Sequence, residues 1–431
     1  MNILIVETVW MGGAPYGFLQ KTLLTTFSIL PTLQARELAA ITPKQHKVTV
    51  LNERYATISY DDTKYDVVLI NYVTSTAPRA YMIADSFRKK GILVVLSGFH
   101  ASGLPEEAKQ HADSVLVGRN ESTWLTILRD IEEKHLQPFY HAPPYASSLR
   151  LPASQVSLPG FMMTGALEAT RGCPYQCDFC PETNIEKGAV YFKRPIPEVI
   201  EEIKTIPQKI LMFYDTSLTI DPEYTKELFK KMKGLKKKFF CNGNVDVLAQ
   251  DKDLVHLSKK AGCLAWLVGF ESFCQDTLNQ VGKTTNIVQE YAHVVKNIHS
   301  QKMVVIGDFI FGFDNDTSEV FEKTLAMIWY LEIDVADFSI LTPFPGTPLF
   351  KKMDTQGRIL TKDWKLYNMR HAVFQPAHMT PKQLEEGVQR IFRKYYSAPM
   401  TIKRVVRSLR WGAPSFFVAL TRNLIAMKSK R

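Results

Sequence analysis

The segment RGCPYQCDFC (171–180) places Cys173, Cys177 and Cys180 in a C-x3-C-x2-C pattern. It follows the apolar run 166–171, which the sequence predicts to be a β-strand. Three thiolates on one short loop can bind a cubane iron–sulfur cluster, but they cannot satisfy all four irons. One iron then stays open to a small molecule. The pattern therefore predicts a 4Fe-4S centre at the end of a strand.

A structural zinc site is the alternative interpretation of these thiols. Such a site needs a fourth Cys or His and is usually built from two ligand pairs. The other three of the six cysteines are Cys241, Cys263 and Cys274. Cys241 lies within a predicted strand and Cys263 starts one, whereas Cys274, just past a strand end, comes nearest to a suitable fourth ligand. No second C-x2-C pair occurs, so the spacing favours the cluster.

Strand–helix alternation fills the segment 163–350. Six βα units within about 180 residues predict a partial (β/α)6 TIM-like barrel with its chemistry at the carboxyl ends of the strands. Residues 351–431 are expected to form a helical C-terminal region, in which Thr380-Pro381-x-Gln383 is a capping box that opens a helix. The predicted strands are 166–171, 210–214, 239–242, 264–270, 304–311 and 336–341, and the predicted helices include 197–205, 222–231, 252–261 and 317–331.

Residues 1–137 alternate apolar runs and helical patterns of their own. Continuous Val/Ile/Leu runs between helices are typical of a parallel sheet covered on both faces. The α/β pattern predicts an N-terminal doubly wound, Rossmann-like sheet that binds a ligand at its carboxyl edge. Residues 138–162 contain five prolines and are expected to be a linker. The predicted strands are 2–7, 47–52, 66–72, 92–96 and 114–117, and the predicted helices include 80–90, 105–111 and 122–133.

Composition and charge limit the class of the 431-residue chain. It is 45% hydrophobic and 22% charged, and no apolar run approaches the roughly 18 residues of a membrane span. No charged and then apolar leader precedes the first predicted strand, and all cysteines lie beyond residue 172. This pattern is unlike a secreted disulfide framework and favours a cytoplasmic protein.

The net charge of +10 is concentrated at the C-terminal end of the chain. Residues 401–431 hold eight Lys/Arg and no acid, and the rest has 45 basic against 43 acidic residues. Two interpretations are open: the tail contacts the inner face of a membrane, or it is a helix docked on the barrel with its charges in solvent. Membrane contact would suit a lipid-like substrate. Nucleic-acid binding is not expected, because the body is near neutral and no RNA-binding domain is visible.

The cysteine segment and the motifs after it resemble the radical S-adenosylmethionine (SAM) superfamily. Phe179 is the aromatic residue before the last cysteine, and the resemblance implies that the open iron binds SAM. An electron from the cluster then cleaves SAM to a 5′-deoxyadenosyl radical. The resemblance also implies an electron donor such as flavodoxin or ferredoxin. The further motifs, in the family's order, are FYDTSLT (213–219), GFES (269–272), GDFIFGF (307–313) and PFPGTPLF (343–350).

The same resemblance implies where SAM binds. The backbone of Phe179 would meet the adenine edge, and the Asp215 carboxylate would accept a hydrogen bond from the methionine amino group. Glu271 and Ser272 would reach the ribose or the methionine end of SAM. Ile310 and Gly312 would form an apolar wall with room for adenine. Two alternatives stay open: Asp215 only caps its loop, and Ile310 belongs to the barrel core.

The N-terminal part resembles the cobalamin-binding domain that precedes the barrel in one large subgroup of the family. SGFHASGLPEEA (97–108) and VGRNESTW (117–124) match its Gly-Gly-x-His and Gly-Glu-x-Glu segments, although Phe99 and Arg119 replace the second glycine and the first glutamate. Val9 stands where many cobalamin domains have a cobalt-ligating His. This suits cobalamin bound without such a ligand, which is the favoured interpretation, and a domain that has lost cobalamin is the alternative. The implied cobalamin-binding residues are Val9, Thr74, Ser75, Thr76, Ser97, Gly98, His100 and Gly118.

The leading functional hypothesis is a cobalamin-dependent radical SAM C-methyltransferase that acts on an unactivated carbon of a small-molecule or lipid-like substrate. One SAM would methylate cobalamin, and a second would supply the radical. The alternative is radical cyclisation, rearrangement or oxidation without methyl transfer, with cobalamin as a redox partner or absent. A tRNA methylthio-transferring enzyme is disfavoured, because such enzymes carry N-terminal cysteines and none precedes Cys173.

Overall fold

The fold consists of two parallel β-sheets that follow one another along the chain, each covered by helices. The predicted α/β class is therefore confirmed. The computed structural model describes residues 1–8, 33–53, 56–60, 64–119, 121–143, 164–185 and 191–428.

The first sheet is six-stranded, and every pair of neighbouring strands is parallel. Its strands are β1 (Asn2–Glu7), β2 (Lys47–Asn52), β3 (Val67–Asn71), β4 (Leu93–Ser97), β5 (Ser114–Val117) and β6 (Phe139–His141). The order β2-β1-β3-β4-β5-β6 reverses direction beside β1, and such a reversal opens a crevice at the carboxyl edge of a doubly wound sheet.

Helices bury both faces of this sheet, which is why its strands read as continuous apolar runs. Helices α1 and α5 cover one face, and α2, α3 and α4 cover the other. The helices are α1 (Gln34–Ile41), α2 (Ala77–Arg88), α3 (Phe99–Gly103), α4 (Pro105–Gln110) and α5 (Glu121–Glu132).

The sixth strand lies where the sequence predicts a linker. Phe139–His141 pairs with β5 through Val115 to Val117, and Tyr140 is buried against the α5 face. Three residues at a sheet edge are too few to produce a recognisable strand pattern. Most of the predicted linker, residues 144–162, lies outside the described residues.

The second sheet contains six parallel strands whose spatial order follows the chain, from one edge to the other. Between its first two strands lies a small antiparallel pair, β8 (Thr170–Arg171) with β9 (Phe192–Lys193). The sheet strands are β7 (Thr164–Leu167), β10 (Ile210–Phe213), β11 (Lys238–Asn242), β12 (Cys263–Glu271), β13 (Val304–Phe311) and β14 (Val335–Ile340). The edge strands β7 and β14 do not pair with each other among the described residues, as in a partial (β/α)6 barrel.

The predicted strand 166–171 is divided into β7 and β8. The Asp215 carboxylate accepts hydrogen bonds from the backbone N–H groups of Ala169 and Thr170. A backbone donor engaged in this way cannot continue the sheet ladder, so the chain leaves the sheet after Leu167.

Helices cover the outer face of the second sheet, and a C-terminal helix fills part of its inner face. Val418 and Ala419 of α17 pack against Leu264, Val304 and Val335, at the amino ends of three strands. The helices are α6 (Pro181–Ile185), α7 (Ile196–Thr205), α8 (Pro222–Met232), α9 (Val245–Gln250), α10 (Lys252–Ala261), α11 (Gln275–Gln280), α12 (Tyr291–Ser300), α13 (Val320–Tyr330), α14 (Pro348–Thr355), α15 (Pro381–Tyr395), α16 (Ala398–Ser408) and α17 (Ala413–Lys428).

The predicted capping box at the start of α15 is confirmed. The Thr380 hydroxyl accepts from the Gln383 N–H at 3.2 Å, and the Gln383 side chain accepts from the Thr380 N–H at 2.8 Å. Farther along the helix, Gly387 meets the ring of Phe321 on α13. A Cβ at Gly387 would lie 2.2 Å from that ring, so glycine allows the two helices to approach closely.

We expect Gly387→Ala to destabilise the protein by about 1–3 kcal/mol, although alanine has the higher helix propensity. The added methyl group would overlap the buried Phe321 ring, which itself packs on Phe311 at 5.2 Å. Urea unfolding would measure the change. Gln389→Ala, at an exposed position of the same helix, is the control and should change stability by less than about 0.5 kcal/mol. A Gly387→Ala protein as stable as wild type would contradict this packing.

Candidate active site

The three cysteines of the C-x3-C-x2-C segment lie on the loop between β8 and α6. The Cys180 N–H donates to the Cys177 carbonyl at 3.1 Å. The Asn184 side-chain amide donates to the carbonyls of Cys177 at 2.9 Å and Cys180 at 2.7 Å. These bonds use backbone and amide groups, so the shape of the loop does not depend on the thiols. The thiols of Cys177 and Cys180 are thus displayed on a preformed part of the loop.

The chemistry of the thiols fits a cluster with three protein ligands. Burial raises the pKa of Cys177 to about 12 and also raises the pKa of Cys173, while the Lys283 ammonium opposes both shifts. A buried thiol of this kind gives up its proton when it binds a metal. No set of three His, Cys, Asp or Glu side chains surrounds a single ion position in the part of the chain that the structure describes. Cubane thiolates each bind a different iron and need no such convergence.

Lys283 lies beside the cysteine loop, and sequence reasoning missed it. The preceding Gly282 has a φ of 71°, and a Cβ there would lie 3.0 Å from the Gln176 carbonyl oxygen, so the two loops are in close contact. Lys283 Nζ lies 3.1 Å from Glu271 Oε1. Burial alone would lower the pKa of Lys283, but Glu271 and Cys177 raise it. A fixed positive charge therefore stands beside the thiols.

The two predicted SAM residues at the end of β12 are both held in a tight turn. Glu271 has a φ of 60°, a costly conformation for a residue with a side chain. Its carboxylate folds back over Gly269, where a Cβ would lie 2.5 Å from Glu271 Oε1. The Ser272 hydroxyl accepts from the Cys274 N–H at 3.1 Å, and the Ser272 carbonyl accepts from the Tyr291 hydroxyl at 3.0 Å. Glu271 thus reaches the cysteine loop through Lys283, whereas Ser272 braces the turn.

The Asp215 carboxylate caps the backbone between β7 and β8, a segment distant from it in sequence. It accepts from the Ala169 N–H, the Thr170 N–H and, at 2.7 Å, the Thr170 hydroxyl. Burial raises the pKa of Asp215 to about 7, and the hydrogen bond from Thr170 opposes that shift. Its contact with a SAM amino group stays a prediction.

The other predicted SAM residues lie along an apolar side of the barrel. Phe179 packs edge-on against Phe313 with ring centroids 6.0 Å apart, and half-buried Ile310 borders the barrel core. Gly312 has a φ of 105°, and a Cβ there would lie 2.8 Å from Leu384. The space beside Gly312 is therefore filled by α15, so the room for adenine expected there is not on that side.

Two acids inside the barrel were also missed at the level of sequence. Asp308 of β13 and Asp337 of β14 are in register, and Asp308 shares the inner strand face with Ile306. Burial raises the pKa of Asp308, and Asp337 and Glu271 raise it further. Arg422 of α17 lies 3.0 Å from Asp337. Only the fold reveals this polar layer, because its members come from three distant segments.

The predicted cobalamin-binding residues gather at the carboxyl edge of the first sheet. A 3₁₀ turn (Thr74–Thr76) follows β3, Ser97 ends β4, and Gly118 follows β5. Ser75 is half-buried, and the Gly118 N–H donates to the Ser102 hydroxyl at 2.8 Å. Val9 lies outside the described residues. The topology thus brings three loops distant in sequence to one edge.

One feature of this edge fits a bound polar ligand. The Ser97 hydroxyl is fully buried and has no hydrogen-bond partner among the described residues, on the sheet face that carries α1 and α5. Gly98 has a φ of 110°, and a Cβ there would lie 2.2 Å from the Tyr72 carbonyl oxygen. The Thr76 hydroxyl, by contrast, already bonds Thr8 at 2.8 Å.

His100 points into the opposite face of the sheet, away from Ser97. It is fully buried, and its Nε2 lies 3.2 Å from Glu107 Oε1. The same oxygen accepts from the Tyr81 hydroxyl and the Trp364 indole N–H, each at 2.9 Å. A role for His100 in cobalamin binding stays a prediction, and its present partners make it part of the core.

The carboxyl edges of the two sheets face each other across a buried ion network. Arg119, after β5, lies 2.8 Å from Glu168, after β7, and 2.8 Å from Glu37 of α1. Arg171 of β8 contacts Glu168 at 3.0 Å and Glu37 at 2.8 Å. Burial would raise the pKa of Glu37, but Arg171 and Arg119 lower it, so Glu37 stays ionised. We call these four residues the junction network.

A second contact joins the same two edges. Gly103 of α3 meets the loop after β14 so closely that a Cβ would lie 2.4 Å from the Pro345 carbonyl oxygen. Helix α3 also contacts α6, which follows the cysteine loop. Any ligand at the first carboxyl edge is therefore close to the cysteine loop.

Fold and site define a class of protein in which a partial barrel carries a loop with three cysteines opposite a Rossmann-like domain. Residues 167–328 match the model of the Radical SAM superfamily. The chain is 31% identical over 392 residues to bacteriochlorophyllide d C-12(1)-methyltransferase of Chlorobaculum tepidum, across 86% of this chain and 84% of that protein. The chain belongs to the radical SAM superfamily.

Solved structures share the fold over both sheets. The cobalamin-dependent SAM radical enzyme OxsB, with aqua-cobalamin and SAM bound, matches with a TM-score of 0.66 at 14% identity, over 98% of this chain and 71% of that chain. The radical SAM methyltransferase TsrM from Kitasatospora setae, with cobalamin and a 4Fe-4S cluster bound, matches with a TM-score of 0.62 at 14% identity. That match covers 82% of this chain and 75% of that chain.

We expect Lys283→Met to shift the midpoint potential of the reconstituted cluster to more negative values. A nearby positive charge favours the reduced, more negative cluster, and methionine removes that charge at similar size. A redox titration followed by electron paramagnetic resonance would measure the shift. Lys283→Arg should keep the wild-type potential, and Glu271→Gln should move it the opposite way. Equal potentials in the Met variant and wild type would show that Lys283 does not act on the cluster.

Proposed function

We propose that this protein is a cobalamin-dependent radical SAM C-methyltransferase that acts on an unactivated carbon of an apolar small molecule. The observation that carries the proposal is the opposition of the two carboxyl edges, with the cysteine loop on one and the Ser97–Gly98 edge on the other. The similarity to a bacteriochlorophyllide methyltransferase supports methyl transfer and an apolar ring-type substrate. The fold shared with OxsB supports a cobalamin domain ahead of the barrel.

The cofactors are assigned to the residues that fit them. Cys173, Cys177 and Cys180 would hold the 4Fe-4S cluster, with Lys283 beside them, and the Ser97 hydroxyl would bind a polar group of cobalamin. When bound, the cluster supplies the electron that cleaves SAM to methionine and a 5′-deoxyadenosyl radical, and cobalamin carries the methyl group to be transferred.

The departures from the cobalamin pattern are compatible with this assignment. Arg119 replaces the subgroup's glutamate, but its guanidinium group is engaged in the junction network. Phe99 is half-buried as the first residue of α3. Neither residue forms a hydrogen bond with the Ser97 hydroxyl, so this hydroxyl remains available to a polar group of cobalamin.

The chain itself positions and shields the reacting groups. Phe179 on the cysteine loop packs against Phe313, and this apolar side of the loop would keep water from the radical. Each methyl transfer consumes two SAM and gives one S-adenosylhomocysteine, one methionine and one 5′-deoxyadenosine. The substrate hydrogen ends on 5′-deoxyadenosine, and two electrons per turnover come from an external donor such as flavodoxin or ferredoxin.

The proposal also includes the domain division and the cellular setting. Residues 1–137 would form the cobalamin domain, 163–350 the barrel and 351–431 a helical region that contacts a membrane from the cytoplasm. Separate apolar clusters in the two sheets support the boundary between the first two units, whereas residues of 351–431 pack into the cores of both. Membrane contact would bring the enzyme to an apolar substrate.

Replacing any one of Cys173, Cys177 and Cys180 by alanine should abolish the cluster, because two thiolates leave two irons unprotected. Anaerobic reconstitution followed by iron and sulfide counting would measure the loss. Cys274→Ser is the matched control, since Cys274 is half-buried just past β12, and should retain about four irons. Loss of iron from the Cys274 variant would instead indicate a fourth protein ligand.

Reconstitution with iron, sulfide and hydroxocobalamin should leave about four irons and a retained cobalamin absorption band after desalting. Ser97→Ala should weaken cobalamin retention because it removes the buried hydroxyl and adds no bulk, with Ser86→Ala, on the exposed side of α2, as control. Turnover with an apolar ring-type substrate should form S-adenosylhomocysteine and 5′-deoxyadenosine in equal amounts. Formation of 5′-deoxyadenosine without S-adenosylhomocysteine would overturn methyl transfer and favour the alternative radical chemistry.

A further inference from the structure

Helix α16 is inverted relative to an ordinary surface helix. Its outward positions and the turn that follows carry Ile402, Val406 and Leu409, which are 62%, 55% and 55% exposed. Its buried positions include Thr401 and Arg404. The three outward residues are spaced i, i+4 and i+7, so they form one apolar stripe. An apolar helix face that is exposed to solvent marks a surface that binds another molecule.

The inward polar face has partners on two other segments, and these contacts specify the orientation of α16. Arg404 is 6% exposed, donates to the Tyr395 carbonyl at 2.6 Å and lies over the Tyr395 ring at 3.7 Å. It also donates to Asn423 of α17 at 2.9 Å. A buried arginine with partners on two other segments cannot exchange places with the outward apolar residues without leaving its charge unpaired.

The neighbouring helix α17 repeats the pattern. Phe417 and Leu424, one on each side of half-buried Leu420, are 41% and 46% exposed on one helical face. The buried positions of α17 include Ser415 and Asn423, which bond the barrel backbone at Lys302 and Asp334. Since Arg404 and Asn423 join the two helices, both apolar faces belong to one packed helix pair. We call it the C-terminal pair.

The C-terminal pair itself carries charge of one sign, although Glu332 of the barrel contacts Arg407 at 3.4 Å. Exposed Lys403 and Arg410 flank the stripe on α16, and residues 401–431 contain no Asp or Glu. Other basic residues of the pair are used inside the protein: Arg407 pairs with Asp334 at 2.8 Å, and Arg422 with Asp337 at 3.0 Å. The exposed surface therefore combines apolar side chains with positive charge, as a surface that binds anionic lipid does.

We propose that the C-terminal pair binds an anionic lipid bilayer through Ile402, Val406, Leu409, Phe417 and Leu424, with Lys403 and Arg410 at the headgroups. No helix in the described part of the chain is long and apolar enough to cross a bilayer, so the contact is peripheral. This inference rests on the proposed function, which includes membrane contact by residues 351–431, and it names the surface that makes that contact. The binding itself requires no catalysis.

The experiment is flotation of the reconstituted full-length enzyme with phosphatidylcholine vesicles, with and without phosphatidylglycerol. Wild type should float with anionic vesicles and lose binding as salt is raised. The variant Ile402→Ser/Val406→Ser/Leu409→Ser should partition at least about tenfold less, because three apolar side chains no longer enter the interface. The variant Lys403→Glu/Arg410→Glu should lose the preference for phosphatidylglycerol while it keeps the apolar stripe.

The control is Ile287→Ser/Leu360→Ser, two exposed apolar positions outside the C-terminal pair, which should float as wild type does. Thermal melting and 5′-deoxyadenosine formation without vesicles check that each variant is folded and active. Wild type that does not float, or a triple variant that floats equally well, would overturn the proposal even if methyl transfer is intact. A triple variant that changes the molar mass from dimer to monomer in light scattering would also overturn it, by assigning the face to a second copy.

Discussion

The junction network is the interaction on which the arrangement of the two sheets depends. Two arginines and two carboxylates from segments far apart in sequence contact one another in a ring of four pairs. Burying such charges is costly, but removing one member leaves another unpaired, typically at about 3–5 kcal/mol. Arg171 stands two residues before Cys173, and Arg119 follows β5. The network thus fixes the base of the cysteine loop against the carboxyl edge of the first sheet.

Much of the fold was predictable, because parallel strands covered on both faces must be apolar throughout. The runs 2–7, 47–52, 114–117 and 304–311 have the limits predicted for them. Prediction of strands failed where tertiary contacts determine whether a strand forms and where it ends. The strand Phe139–His141 is too short to carry a pattern, and the division of the segment 166–171 depends on Asp215, which lies more than forty residues away.

The candidate site divides in the same way. The cysteine spacing and the order of the barrel motifs are local features that can be recognised in the sequence, and the family they indicate is confirmed. The role of Lys283 could not be predicted from the sequence, because its position beside the cysteine loop depends on the turn at Gly282. His100 matches a motif, yet the structure turns its side chain towards Glu107 and Trp364. A motif fixes which residue is present, but only the fold fixes the direction in which it points.

The packing of Trp364 has a consequence for the order in which the chain matures. Trp364, Tyr367 and Val373 belong to the core of the first sheet, although they follow the whole barrel in sequence. The nascent N-terminal domain, about a third of the chain, is therefore synthesised before part of its own core. The Trp364 indole can donate to Glu107 only after more than two hundred further residues have been synthesised. The first domain is thus completed last, and it cannot be cut away as an independent module without opening its own core.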